Sequence, residues 1–311
     1  MLVTDELPIS TLAHLPTWFG IGGGADRFAT IRRADQLRRA LETDAALRVL
    51  GDGANLLVDD DGVGELVVRM DGELAEWTID PAKGIVRVGC GANLPKLINE
   101  TVRQGLAGLE TLGGIPASVG GALMMNAGGK FGEIEQFVVR VEVLTRDGSL
   151  RTIERKDISF AYRRSGLKDY ILVSCELQLT PDDPAAARKR LKEVMSYKKT
   201  SQPMAEKSAG CTYKNPTLEH DVMDLYDANG RAGRRVPAGL LIDRAGLKGL
   251  AVGAVSVSDV HANFFVTRPG ATARDVIGLM QEVERRVLDR FGVKLEREVV
   301  VWSRHPEVLA S

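Results

Sequence analysis

A chain of 311 residues with 44% hydrophobic side chains can bury a sizeable core and divides into two or three domains by length. Its 41 basic and 42 acidic residues leave a formal charge of -1, so it carries no positive field for phosphate backbones or anionic lipid. Nucleic acid and membrane surfaces are thereby excluded as first partners, and three separated cysteines (Cys90, Cys175, Cys211) without a CxxC spacing exclude a disulfide framework. The four histidines show no metal-ligand spacing, so no metal is expected. The N-terminus lacks a basic start followed by an apolar run, and no segment reaches the roughly 20 apolar residues of a membrane span; a cytoplasmic protein is expected.

In chain order, residues 34–43 (ADQLRRALET) read as a short amphipathic helix and 47–58 (LRVLGDGANLLV) as a strand running into a glycine turn. ELVVRM and GIVRVGC read as strands, and LPKLINETVRQG (94–105) as a helix. In QFVVRVEVLT (136–145), Phe137, Val139, Val141 and Val143 alternate with Arg140 and Glu142, which predicts a half-buried strand. Asp183 and Pro184 signal the start of a helix over AAARKRLKEVMSYKK, whose basic face is expected to be solvated. Val276, Leu279, Met280, Val283, Val287 and Phe291 repeat at helical spacing as core, and KLEREVVVW (294–302) closes the chain as a strand. No internal repeat is read, and the fold class is α+β.

Two uncharged or nearly uncharged glycine loops carry the chemistry. LGDGANLLV holds Gly51, Asp52, Gly53, Ala54, Asn55 and Leu56, and GGIPASVGGALMMNAG holds Gly113, Gly114, Ile115, Pro116, Ser118 and Val119, then Gly120, Gly121, Asn126 and Gly128. Glycine has no Cβ, so backbone N–H groups can approach a ligand closely, and consecutive amides in such turns form an anion cradle suited to a diphosphate. Ser118 and Asn126 add side-chain donors. Neither loop matches GxGxxG or GxxxxGK[ST], so composition alone stops at an anion or cofactor cradle.

These loops resemble the LGxGSNLLV and GIPGTVGGAxxMNAG loops of the UDP-N-acetylenolpyruvoylglucosamine reductase family. Further motifs follow in the family's order: TWFGIGGGADRF (17–28), FAYRRSGLK (160–168), SAGCTYKNP (208–216), AGLLIDRAGLKG (238–249) and LEREV (295–299). Ser258, His261, Ala262, Asn263 and Phe264 resemble the SxxHANF motif of the shorter, type II branch. The resemblance implies a two-lobed FAD-binding region of the PCMH/vanillyl-alcohol-oxidase type, here 1–68 and 69–188, with a separate α+β substrate-binding domain over 189–311. The two glycine loops would hold FAD, and NADPH would be the reductant.

In the family, hydride passes from flavin N5 to the vinyl carbon of an enolpyruvyl ether of UDP-N-acetylglucosamine, giving UDP-N-acetylmuramate for peptidoglycan synthesis. Negative charge then develops beside the carboxylate, where a planar guanidinium is a fitting stabiliser. Arg163 matches the family's catalytic arginine and Glu298 its catalytic glutamate. The proton donor is usually a serine, and Cys211 stands at that position. A thiol, with an ordinary pKa of about 8.5, is protonated at neutral pH and a better acid than an alcohol. Tyr162, Lys214, Asn215, His261 and Asn263 are expected to contact substrate. Arg164 stands where the family often has an acidic residue.

Small-molecule partners and a monomer are expected. Two rival readings differ in testable ways: an FAD-dependent alcohol oxidase of the same cofactor architecture, which leaves SAGCTYKNP and LEREV unexplained, and a flavin- or nucleotide-sugar-binding protein without catalysis, suggested only by the cysteine at 211.

Overall fold

In a computed structural model that describes residues 7–228 and 230–305, helices and strands mix along the chain as an α+β fold. Two compact units form: one from residues up to 13, 25–52 and 64–198, the other from 14–24, 53–63 and 199 onward.

The first unit begins its helical structure with α1 (Ala34–Thr43), where Gln36 Oε1 accepts from the amides of Arg32 and Arg33 and satisfies two groups a helix start leaves open. Leu37, Ala40 and Leu41, spaced three and four apart, are buried. Helix α2 (Leu94–Arg103) is capped by Asn93, whose side chain accepts from Lys96 N, and has Pro95 in its first turn. A five-stranded antiparallel sheet runs in the order Leu150–Glu154, Val138–Leu144, Ile171–Gln178, Ile85–Gly89, Trp77–Asp80. One hydrophobic core joins Leu37 and Val68 to Val86, Leu97, Val141 and Leu177.

The expected alternation from Phe137 to Val143 holds only in part. Phe137 ends a 3-10 turn before the strand, and a register shift between Val138 and Arg140 leaves Val139 half-buried, while Val141 and Val143 face the core. The extra residue in a bulge resets the side-chain period, which no pattern of hydrophobicity announces. Short helix α3 (Val119–Met124) starts inside the second glycine loop, with Ser118 Oγ accepting from Gly121 N. In α4 (Pro184–Ser201), Asp183 accepts from the amides of Ala185 and Ala186 as the cap predicted from Asp-Pro, and only Ala187 and Val194 are buried, so the basic face is solvated.

The second unit is organised by α5 (Ala238–Arg244) and α6 (Ala273–Phe291). Thr272 and Asp275 form a reciprocal capping box at the start of α6, and Gly292 ends it in the left-handed region at φ 66. Its whole predicted stripe, Val276 to Phe291, is buried. The helix packs in a core with Tyr213, Leu241, Val257 and Phe265, near a three-stranded antiparallel sheet of Ala251–Val252, Val255–Val257 and Phe265–Thr267. The closing segment 294–302 is a strand only over Val300–Trp302, which pairs in parallel with Leu56–Val58. Upstream of it the chain forms one isolated bridge, Arg297 with Tyr213, flanked by backbone bonds from Lys214 N to Glu296 O and from Glu298 N to Thr212 O, so LEREV is an extended segment held beside the Cys211 stretch rather than a strand of a sheet.

Candidate active site

A cavity of about 140 Å³ opens in the first unit, and both glycine loops form its wall: Gly51 and Asp52 from the first, Ser118, Gly120, Gly121 and Met124 from the second. The close fit of the loops accounts for the glycines. A Cβ on Gly51 would lie 2.6 Å from Ser118 Oγ, and one on Gly120 would lie 3.0 Å from Cys90 Cβ and its carbonyl oxygen. Gly53 adopts φ 65, a conformation open to glycine at no steric cost. Among the described residues, the amides of Asp52, Gly53 and Ala54 donate to no protein acceptor, so the first loop presents the donors an anionic group requires. In the second loop the amides of Val119 and Gly120 are spent on Ala92 O and Cys90 O, and that of Gly121 on Ser118 Oγ. The start of α3 therefore contributes shape, while the first loop supplies free donors, as do the amides of Gly114, Ala117 and Ser118 ahead of that helix among the described residues. These features fit the diphosphate and ring system of a dinucleotide cofactor.

The fit is tight enough to test. Gly51→Ala pushes Ser118 from its cap, an overpacking of about 1–3 kcal/mol, and about 10- to 100-fold weaker FAD binding is expected in a flavin fluorescence titration. Removing the clashing atom with Ser118→Ala should recover part of that loss; affinity unchanged in Gly51→Ala would show that the loop contact does not shape the site.

Several wall residues escaped the sequence reading: Arg69, Cys90, Gly91 and the run Tyr170, Ile171, Leu172. A signal for some of them was present. The hexapeptide GDGANL at 51–56 recurs as GCGANL at 89–94, so the chain does contain a short internal echo. The copies meet: Asn93 of the second donates through Nδ2 to Asp52 Oδ2 of the first at 2.7 Å, and Asn93 bridges Ser118. Arg69 is the basic side chain on this wall and has no motif around it. Burial raises the thiols of Cys90, well above its ordinary value, and of Cys175, to about 12, in keeping with packing roles.

Arg163 lies in the same unit at the tip of a tight turn. Ala161 and Arg164 exchange both backbone hydrogen bonds (2.9 and 3.1 Å), leaving Tyr162 and Arg163 as a two-residue loop. Arg163 adopts φ 57, which costs an L-residue about 1–2 kcal/mol, and its guanidinium stands 5.1 Å from the Tyr162 ring centroid. Arg164 points into solvent and contributes its backbone to the turn. Asn126 is fully buried at φ 43; its Nδ2 donates to Glu133 Oε2 and Ala161 O, and its Oδ1 accepts from Glu135 N. Its side-chain donors are engaged within the protein.

The second unit brings Cys211, Lys214, Asn215, His261, Asn263 and Glu298 together on three adjacent segments. Cys211 bridges Phe264, Thr212 N donates to Asn263 O, and Glu298 N donates to Thr212 O at 2.8 Å, so the Cys211 segment lies between the His261 turn and LEREV. Asn55 Nδ2 donates to Glu298 O at 3.0 Å and fixes that glutamate's backbone from the other side. Asn263 is 2% exposed, and its amide clasps Tyr213 by accepting from N and donating to O. Asn215 Oδ1 receives Ala238 N, and Lys214 Nζ reaches Glu296 Oε1 at 2.5 Å. On either side of Cys211, Ser208 Oγ and Thr212 Oγ1 are buried with no hydrogen-bond partner among the described residues, which marks this stretch as unfinished without a ligand or water.

His261 packs edge-on against Phe264 and against Gly239, where a Cβ would sit 3.1 Å from its Cε1. Burial, assisted by the charge on Lys248, pushes its imidazole below the ordinary 6.5. The sign follows: the unfolded chain takes up a proton near 6.5 that the folded chain resists, so stability is full above that value and falls as pH drops toward the lowered folded one. Urea midpoints at pH 7.5 and 5.5 should therefore diverge more in the wild type than in His261→Gln; parallel shifts in both would refute this assignment. Elsewhere, Asp59, Asp61 and His305 bring ligand atoms together, but Asp59 accepts from Ser303 and Asp61 is paired with Arg274 and His305, so this group is satisfied by the chain.

Comparison with known proteins agrees along the length of the chain. A family model described as "UDP-N-acetylenolpyruvoylglucosamine reductase, C-terminal domain" matches residues 202–302, and one described as "FAD binding domain" matches 32–154. A UDP-N-acetylenolpyruvoylglucosamine reductase 2 of Symbiobacterium thermophilum is 38% identical, covering 92% of this chain and 89% of its own. The reductase of Desulfosudis oleivorans is 39% identical over 92% and 91%. A crystal structure of UDP-N-acetylenolpyruvylglucosamine reductase (MurB) from Thermus caldophilus superimposes with a TM-score of 0.78 at 40% identity, covering 96% of this chain and 99% of the other. With identity above a third sustained over nine-tenths of its length, the chain belongs to the UDP-N-acetylenolpyruvoylglucosamine reductase family.

Proposed function

We propose that this chain reduces the enolpyruvyl group of UDP-N-acetylenolpyruvoylglucosamine to give UDP-N-acetylmuramate for peptidoglycan precursors, with FAD as cofactor and NADPH as reductant. The observation that carries the reading is the cavity walled by both glycine loops, in a chain that matches the reductases over about nine-tenths of its length. When bound there, FAD supplies the hydride for the vinyl carbon.

The chain's own residues hold the cofactor and handle charge and proton. Gly51 to Leu56 would form the cradle, the unspent amides of Asp52, Gly53 and Ala54 would serve the diphosphate, and Arg69 on the cavity wall would add positive charge. Gly113, Gly114, Ile115, Pro116, Ser118, Val119, Gly120, Gly121, Asn126 and Gly128 would shape the other side of the cofactor site, and of these Ser118, Gly120 and Gly121 line the cavity. Arg163, with Glu298, polarises the substrate carboxylate as negative charge develops on the neighbouring carbon. Cys211 gives its Sγ proton to that carbon, so hydride and proton together saturate the double bond. Lys214 offers a cation to the substrate diphosphate, with Asn215 and His261 beside it and Tyr162 as a wall. Asn263 serves the substrate through the Tyr213 backbone it clasps. Residues 1–68 and 69–188 serve in this reading as cofactor lobes and 189–311 as the substrate domain, in a cytoplasmic monomer. Among the described residues, no helix is long and apolar enough to cross a membrane.

One anaerobic absorbance trace near 450 nm tests the reading. Bleaching on NADPH and recovery on addition of the enolpyruvyl nucleotide sugar are expected. Recovery only when oxygen is admitted would favour an oxidase, and no flavin band after supply of FAD would defeat the reading.

A further inference from the structure

The turn that carries Arg163 is fastened on both flanks to the end of the glycine-loop helix. On one flank, Asn126 Nδ2 donates to Ala161 O at 3.2 Å, the same carbonyl that Arg164 N uses to close the turn. On the other, Ser165, 1% exposed, donates from Oγ to Met124 O at 3.0 Å and accepts from Leu167 N. Met124 is the last residue of α3 and itself lines the cofactor cavity. Asn126 is fixed in turn by Glu133 Oε2 and Glu135 N, so the clamp is rigid at its root.

A non-glycine residue at φ 57 does not hold that conformation by itself; the surroundings must over-determine it. Here the reciprocal Ala161–Arg164 bonds and the two side-chain clamps do so, one from Asn126 just past the end of α3 and one onto Met124, its last residue. We propose that Asn126 and Ser165 are positioning residues that set Arg163 relative to the cofactor wall. The inference rests on the reading of Arg163 as the residue that polarises the substrate carboxylate. It also gives the asparagine of the second loop a part other than donating to the cofactor.

The experiment uses the FAD-loaded full chain with Asn126→Gly, which tolerates the positive φ at 126, and Ser165→Ala, which deletes one oxygen. Ser165→Thr serves as the conservative rescue. Two readouts are taken: the rate of flavin reoxidation by the enolpyruvyl nucleotide sugar, and tryptic cleavage after Arg163 or Arg164 followed by mass spectrometry. Both damaging variants are expected to keep FAD, to slow reoxidation about 10- to 100-fold, and to become cleavable at the turn. Ser165→Thr should restore rate and protection. Added to Arg163→Ala, neither should slow the reaction further, because each acts through that side chain. Wild-type rates with a protected turn, or losses that add in full to Arg163→Ala, would overturn the proposal. If Arg163→Ala itself reoxidises normally, the catalytic reading falls; the tryptic pattern then decides positioning alone, an opened turn supporting it and a protected one rejecting it.

Discussion

Replacing Arg163 with alanine is expected to slow reoxidation of the flavin by the enolpyruvyl nucleotide sugar by about 10²–10³-fold, the usual cost of removing one donor aimed at developing negative charge. Reduction by NADPH and FAD content should stay near the wild-type level, because the guanidinium answers a charge that exists only in the second half of the cycle. Lysine should not restore the rate: a point charge on a flexible stem lacks the planar fork that grips a carboxylate at two oxygens. Glycine at the same position separates chemistry from stability. Arg163 sits at φ 57, where an L-residue is strained by about 1–2 kcal/mol, and glycine removes that strain at an entropic cost of about 0.5–1 kcal/mol. Arg163→Gly should thus be as inactive as alanine yet unfold at no lower urea than the wild type. A glycine variant that is active, or one clearly less stable, would mean that the strain is not held there for catalysis.

The parts of this molecule legible in its sequence are those set by local rules. The α6 stripe from Val276 to Phe291 has one period and one solution, and Asp183 before Pro184 combines a side-chain cap with a first-turn proline at the start of α4. The glycine loops announced a close approach, and the fold shows one: a Cβ on Gly51 would lie 2.6 Å from Ser118 Oγ, so a larger residue must displace that side chain. What stayed hidden depends on partners far along the chain. Asn126 and Asn263 look like donors for a ligand, and only the fold reveals that their amides hold Ala161 and Tyr213. The run 47–58 reads as a strand entering a glycine turn, but Leu56–Val58 leaves that turn as a second strand whose partner is Val300–Trp302, more than 240 residues away, and hydrophobic pattern carries no address for such a pairing. The bulge at Val139 is invisible for the same reason, since the register it breaks belongs to two strands at once. The echo of GDGANL in GCGANL was readable, and it marks the one piece of cavity wall that pattern alone could have added.

Cys211→Ala is expected to lower the same reoxidation rate by about 10²–10⁴-fold, the range that a positioned general acid contributes, while Cys211→Ser should keep most of it because an alcohol can occupy the same place in the SAGCT turn. The thiol permits a sharper test than mutation. Cys90 and Cys175 are buried with raised pKa values, so neither presents a thiolate, whereas Cys211 is half-exposed. Iodoacetamide should therefore add one equivalent to the native FAD-loaded chain, at Cys211, and reoxidation should decay in step with that modification while reduction by NADPH persists. The serine variant should resist the reagent altogether. Full alkylation of Cys211 with an undiminished rate would remove it as the proton donor. The buried hydroxyls of Ser208 and Thr212, which have no partner among the described residues on either side of it, would then be the next groups to vary.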